Sequence, residues 1–324
     1  MSEKIDEVGH EHKHEHNHNH AGHSHLHDMS EIKGRNLIAV ILLNFIITAA
    51  EIIGGVIAGS LSLISDALHN FSDGVSVIIS YFAFLITKKK NDNKKTFGYK
   101  RAEILAAIIN SSVLIIISIY LFREAYLKLI NPEAVNGLYV IAVAVVALIA
   151  NTFSVFLLEK GSQGDMNIKS TYLHLLSDAL SSLAVIIGGA AIYFFKAYWI
   201  DPVLTILIGL YVLKESYEIL KKAINILMQG VPEGFNIEKI VKDLKKIDLI
   251  EDIHHVHLWS LTEKDVHFEA HANIKDIKIS ETKPIMEKIE HILDEHYGIN
   301  HATIQFEYKC CGGTEIINNE SRGC

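Results

Sequence analysis

Between positions 36 and 228 the apolar residues come in runs long enough to cross a bilayer, which takes about 20 residues of helix. They read as six segments: 36–58, 61–87, 101–127, 136–158, 166–195 and 201–227. Only Gly59 and Ser60 separate the first two, which predicts a tight antiparallel pair. Beyond position 228 the pattern changes. Positions 236–247 and 281–296 have helical spacing, while 252–261, 265–274 and 302–308 are β-rich, the first two joined by a short turn. The order α-β-β-α-β predicts a small open sheet with helices on one face. Positions 1–35 carry no apolar period and predict disorder, and 311–324 predict a flexible tail. The expected organisation is therefore a disordered tail (1–35), a six-helix transmembrane domain (36–228), a soluble α/β regulatory domain (229–310) and a loose end.

Charge orients this arrangement. The stretch between the second and third segments holds Lys88, Lys89, Lys90, Lys94, Lys95, Lys100 and Arg101, whereas the opposite loops offer only Lys128, near Arg123, and Lys196. Basic loops stay in the cytoplasm. With six spans, both termini share that side, giving a multi-pass protein expected in the cell membrane. A mean hydropathy of +0.24 agrees with a membrane protein. The formal net charge of −8, without a large basic patch outside loops, gives no reason to expect nucleic acid.

Polar residues inside the apolar segments carry the chemistry. In SLSLISDALHNFSDG (60–74), His69 and Asp73 stand four apart; in YLHLLSDAL (172–180), His174 and Asp178 repeat that spacing. Positions i and i+4 share a helix face, so each segment aims one imidazole and one carboxylate in one direction. Ionisable groups in a bilayer turn toward a partner or a pathway. Two such pairs facing each other supply two nitrogens and two oxygens, the number tetrahedral zinc requires, and two carboxylates cancel its charge. A catalytic zinc site usually keeps an open position, so a closed set of four suits holding and releasing an ion. Asp66 lies on the His69 face, outward of it. Asn44, Glu51, Asn110 and Asn151 are candidates to line a cavity or bond between helices.

The chain shows no G-x-S-x-G elbow or P-loop, and H-E-x-x-H spacing falls only within the His-rich stretch at 10–18 and on no predicted helix, so it is read as a secondary transporter and not an enzyme. Histidine titrates near pH 6.5 and binds metal only when neutral, so protons are the available counter-ion. Alternatives are a membrane metal sensor signalling through the C-terminal domain and an intramembrane metalloenzyme. Nine of the 19 histidines lie between positions 10 and 27, which suits loose metal capture. The three cysteines are all at the C-terminal end, too few and too late for a disulfide framework.

With these residues in hand, the chain resembles the cation diffusion facilitator family, in its zinc/cadmium/cobalt exporter branch, and is similar to the animal zinc transporters. The likeness rests on SLSLISDALH with Asp73, FGYKRAE (97–103), His174 with Asp178, and HLWSL (257–261). It implies metal/proton antiport by alternating access, a homodimer, and a C-terminal cytoplasmic α+β domain of ferredoxin-like, metallochaperone-like fold. It maps the intramembrane ligands onto His69, Asp73, His174 and Asp178, a set associated with Zn2+, with Cd2+ or Co2+ as the alternative cargo. In the cytoplasmic domain it implies metal ligands at His254, His271 and Glu307, with His301 near the position of another. Cys310 and Cys311 fall where relatives carry terminal cysteine ligands, though adjacent instead of spaced. Some relatives also bind metal between the second and third spans. Here that loop has no histidine, leaving Asp92 alone.

Overall fold

The computed structural model describes residues 34–87, 89, 91–162, 166–309 and 316. The His-rich stretch, Cys310 and Cys311 lie outside the described residues, as do the side chains of Asp73 and His174. The N-terminal part is helical: α1 (Gly34–Ala58), α2 (Leu61–Thr87), α3 (Ala102–Ile130), α4 (Gly137–Ser162), α5 (Met166–Phe195) and α6 (Ile200–Leu227). These coincide, within a few residues, with the apolar segments of the sequence. Two described stretches, Ala102–Ile130 and Leu176–Phe195, are long and apolar enough to cross a membrane, and Leu42–Ala58 and Gly137–Phe153 are shorter apolar ones. Ile46, Ile53, Ile116, Ile149 and Ile187 point outward and are well exposed. So much exposed apolar surface on helices suits a non-aqueous surrounding.

The α1–α2 turn forms as the sequence dictates. Gly59 adopts φ of 69°, and the Ser60 N–H donates to the Gly55 carbonyl at 2.9 Å, closing a glycine C-terminal cap. Next to this turn, Ala58, Leu63, Val140, Ala144, Val185 and Ile192 pack into a buried cluster joining α1, α2, α4 and α5. Helices α4 and α5 approach closely because Gly137 faces Gly189 and Tyr193; a Cβ there would sit 2.6 Å from backbone atoms.

The start of α2 is held from a distance. The fully buried Asp201, in the first turn of α6, accepts from Ser60 Oγ (2.5 Å), Ser62 Oγ (2.7 Å) and the backbone N–H of Leu61 (2.7 Å) and Ser62 (3.3 Å). A carboxylate at a helix N-terminus satisfies otherwise orphaned donors and complements the helix dipole. Asp201→Ala strips these donors of their acceptor. Unfolding in detergent should show a loss of about 2–4 kcal/mol, since buried unsatisfied groups each cost about 1–3 kcal/mol. An unchanged melting temperature would contradict the capping role.

The C-terminal part contains α7 (Ile237–Leu244), β1 (Ile250–Ser260), β2 (Val266–Ile274), α8 (Lys283–Tyr297) and β3 (His301–Glu307), with a short 3-10 turn before α8. The sheet order is β1-β2-β3; β1 and β2 run antiparallel, and α8 carries the chain across so that β3 lies parallel to β2. Phe268, Ile253 and Leu258 pack against Ile240, Leu244, Ile289 and Leu293 in one apolar core. β1 is irregular: its register slips between His254 and His257, where His255 takes φ of 51°. The Val256 N–H beside it donates to the Ile316 carbonyl at 2.8 Å.

Candidate metal sites

In the helical part, His69 Nε2 lies 3.6 Å from Asp178 Oδ1, and both side chains are buried. The helical period places His69 on the α2 face that meets α5, with Asp66 one turn before it. Ser181 Oγ donates to Asp66 Oδ1 at 2.6 Å, so three residues along α2 match three residues back along α5. The two helices therefore run antiparallel in fixed register. One further step of four on each helix is position 73 and position 174.

Around this pair α6 supplies Tyr211, whose ring meets the His69 ring edge-on at 6.2 Å. Ser182 Oγ donates to the Asp178 carbonyl at 3.1 Å. A cavity of about 10 Å³ beside His69 is lined by Ser65, Ser118, Gly209 and apolar neighbours, room for about one water molecule. Of the other polar positions flagged by the sequence, Asn44, Glu51 and Asn110 find partners. Asn44 Nδ2 donates to the Asn70 carbonyl (3.2 Å), Asn70 Nδ2 to Glu51 Oε2 (3.1 Å), and Ser72 Oγ to Asn110 Oδ1 (3.0 Å). Asn151 is buried, and its Nδ2 meets no acceptor among the described residues.

A second cluster sits on the sheet. Cross-strand pairing sets His254 of β1 opposite His271 of β2, and the β2–β3 register sets Glu307 opposite Asn273, one pleat along. Glu307 Oε1 lies 2.7 Å from His271 Nδ1, and Glu307 Oε2 lies 3.3 Å from His254 Nε2. One ligand atom from each of the three falls within 4.8 Å of the others. Glu307 Oε2 is buried, yet it makes no hydrogen bond among the described residues. Buried polar atoms normally have partners, and a cation between imidazole and carboxylate would provide one. The donor set also fits zinc chemistry. Asp252 Oδ2, 3.3 Å from His254 Nδ1, stands where an outer carboxylate would orient that ring. The β1 irregularity brings His255 onto the same cluster, stacked on His271 at 4.7 Å. Burial, then neighbouring imidazoles, lowers the His255 pKa from 6.5.

His301 is not in this trio. The parallel register pairs it with His267, and their rings meet at 4.3 Å. There the α2–α3 loop docks: Phe97 packs edge-on against Trp259 (6.3 Å) and His267 (5.4 Å), and His267 stacks on Trp259 (4.4 Å). Lys100 Nζ reaches Asp265 Oδ2 at 2.9 Å, and the Arg101 guanidinium lies 5.8 Å from the centre of the Trp259 ring. Two separate sequence motifs, FGYKRAE and HLWSL, thus form one junction. Elsewhere in the loop, the Asp92 carboxylate accepts the Lys94 and Lys95 N–H groups at 2.7 and 2.8 Å, an ordinary turn closure.

Burial, then His301, holds the His267 pKa below its ordinary 6.5. A histidine whose folded pKa lies below its unfolded value binds fewer protons when folded, so its contribution is present above 6.5 and is lost as pH falls. The metal-free protein should therefore melt at lower temperature at about pH 5.5 than at about pH 7.5. His267→Phe should flatten that slope; an unaltered slope would contradict this origin.

Comparison with known proteins gives two family matches. Residues 37–228 match the cation efflux transmembrane domain, and residues 232–309 match the cation efflux protein cytoplasmic domain. The chain is 38% identical over 289 residues to the cadmium, cobalt and zinc/H(+)-K(+) antiporter of Bacillus subtilis, covering 87% of this chain and 91% of that one. It is 35% identical over 287 residues to the metal cation efflux system protein CzcD of Cupriavidus metallidurans (89% and 90% covered). It is 34% identical over 302 residues to the zinc transporter ZitB of Escherichia coli (91% and 96% covered).

Proposed function

The chain belongs to the cation efflux family, and from that premise we propose that it exports Zn2+ from the cytoplasm in exchange for protons. It is a membrane transporter and not an enzyme. The observation that carries the reading is the buried His69–Asp178 approach at 3.6 Å, from two helices in antiparallel register. That register supports His69, Asp73, His174 and Asp178 as one tetrahedral set of two nitrogens and two oxygens. Tyr211 and the apolar walls around His69 keep bulk water away, so the set holds a divalent ion only with its charge cancelled. Proton exchange follows from the same groups, because histidine and carboxylate must lose their protons to bind metal and regain them to release it.

Six spans, residues 36–228, with both termini and the basic 88–101 stretch in the cytoplasm, are part of this reading, supported by the charge asymmetry of the loops. The domain at 229–310 is read as ferredoxin-like; its αββαβ order and mixed sheet support this. His254, His271 and Glu307 would hold a regulatory Zn2+ there, with Asp252 orienting His254. When bound, that ion would tie the three strands together. His301, paired with His267, is better read as part of the junction with the 88–101 loop. A homodimer accords with the matched cytoplasmic domain. Relatives named for cadmium and cobalt keep both ions as alternative cargo.

X-ray absorption at the zinc edge tests the transport site. With His254, His271 and Glu307 replaced by alanine and the nine histidines of 10–27 by serine, the full chain should retain one zinc bound by four N/O ligands at about 2.0–2.1 Å. A sulfur-containing shell, or no retained zinc, would overturn the assignment.

A further inference from the structure

The stretch between α2 and α3 folds so as to sort its charges. From 88 to 101 the sequence holds seven basic residues and one acidic, in a chain whose formal net charge is −8. The acid is committed to the backbone: Asp92 Oδ1 accepts the Lys94 and Lys95 N–H groups, and the Asp92 and Lys95 main chains bond to each other at 3.1 and 3.3 Å. Gly98, at φ of 70°, lets the turn close against Asn91; a Cβ there would sit 2.7 Å from Asn91 Oδ1. The closed turn brings two ammonium groups to one ring, with Lys89 Nζ 5.8 Å and Lys95 Nζ 4.8 Å from the centre of Tyr99. Lys94, in the same turn, is exposed.

Two other cations of the stretch are matched, Lys100 by Asp265 and Arg101 by the Trp259 ring. The ammonium groups of Lys89, Lys94 and Lys95 meet no carboxylate among the described residues. Like charges gathered on one ring repel, and an anion between them would offset that repulsion. The neighbours say what the anion is attached to. α2 ends at Thr87 and α3 begins at Ala102, and exposed apolar side chains flank the turn on both: Leu85 and Ile86 on α2, Leu105 and Ile109 on α3. A cationic cluster bordered by exposed apolar surface complements a molecule with an anionic head and apolar chains. A nucleic acid or an acidic peptide would leave those apolar side chains uncovered. Lysine clusters just cytoplasmic of a span attract anionic headgroups.

We propose that Lys89, Lys94, Lys95 and Tyr99 form a site for the phosphate of an anionic phospholipid of the cytoplasmic leaflet, whose acyl chains lie along α2 and α3. Lys89 and Lys95 donate to the phosphate oxygens, and the Tyr99 ring positions both ammonium groups. The same stretch docks on the cytoplasmic domain through Phe97, Lys100 and Arg101, so a bound lipid steadies the segment that joins that domain to the helices. The site goes beyond the transport reading and takes from it only the placement of 88–101 at the cytoplasmic membrane face.

Native mass spectrometry of the intact, zinc-free protein in a neutral detergent tests this, with dioleoylphosphatidylglycerol and dioleoylphosphatidylcholine as probes. The parent should retain the phosphatidylglycerol in preference to the phosphatidylcholine. Each lysine at a headgroup layer is worth about fivefold in binding, so Lys89→Gln combined with Lys95→Gln should weaken phosphatidylglycerol binding about thirtyfold. Lys283→Gln combined with Lys288→Gln removes the same charge from exposed positions of α8 and should leave binding unchanged. Equal retention of the two lipids by the parent, or equal weakening in both double variants, would overturn the site. Displacement of the lipid by glycerol 3-phosphate at equal concentration would overturn the lipid assignment, because the phosphate alone would then account for binding. Neither zinc nor sidedness enters these readings, so their failure leaves the transport reading intact, and a protein that moves no zinc can still pass them.

Discussion

Asp178→Ala should reduce zinc-driven proton flux in proteoliposomes to near background while leaving the protein folded. Its carboxylate is buried within 3.6 Å of His69 Nε2, and in the proposed site it is one of two oxygens that neutralise the ion. Losing even an outer-sphere partner of a metal ligand typically costs 10- to 100-fold, so losing an inner-sphere anion should cost more than about 100-fold. The remaining charge would also be wrong: one carboxylate against a dication leaves net charge in an apolar setting, where each uncompensated charge is expensive. The size of Ala leaves room for water, so global stability should fall far less than transport. The check is initial rate against melting temperature. Transport retained to within a few-fold would mean that the paired H-x-x-x-D motif is structural.

Glu307→Ala should abolish high-affinity zinc binding by the cytoplasmic domain. Glu307 is the one residue that touches both histidines of the trio, at 2.7 and 3.3 Å. Without it, His254 and His271 remain as a two-nitrogen site with no anion, too few ligands for a structural zinc. Equilibrium dialysis should show one zinc fewer per chain, with the transmembrane zinc retained. Zinc-dependent thermal stabilisation should fall with it, since a ligand bound only to the folded state stabilises by mass action. His301→Ala should change neither, because His301 lies with His267 at the other end of β3. An unchanged stoichiometry in Glu307→Ala would contradict the trio.

What could be read from the chain and what could not divide along physical lines. Helix positions followed from unbroken apolar runs and from Gly59-Ser60, because those signals are local. The His69 and Asp178 pairing was legible too, since an i, i+4 spacing repeated on two helices limits where the side chains point. The α-β-β-α-β succession of elements followed from alternating segments of period two and period 3.6. The cap on α2 was not legible: Asp201 is 141 residues from Ser60 in sequence, and nothing local marks it as the acceptor. The grouping of the cytoplasmic histidines was equally hidden. Whether His255 joins His271 depends on an irregularity in β1 between His254 and His257. Whether His301 faces Glu307 or His267 depends on the register of a parallel pair, which only the crossover through α8 sets. The meeting of Phe97 with Trp259 and His267 belongs to the same class, a contact between segments whose motifs were each visible alone.

The most direct measurement is zinc movement in proteoliposomes under imposed pH gradients of opposite sign, with external zinc fixed and the protein unaltered. For exchange, zinc should accumulate when the lumen is the more acidic side and be expelled when the gradient is inverted, with protons moving oppositely each time. Zinc movement of the same size and direction under both gradients would contradict proton-coupled export.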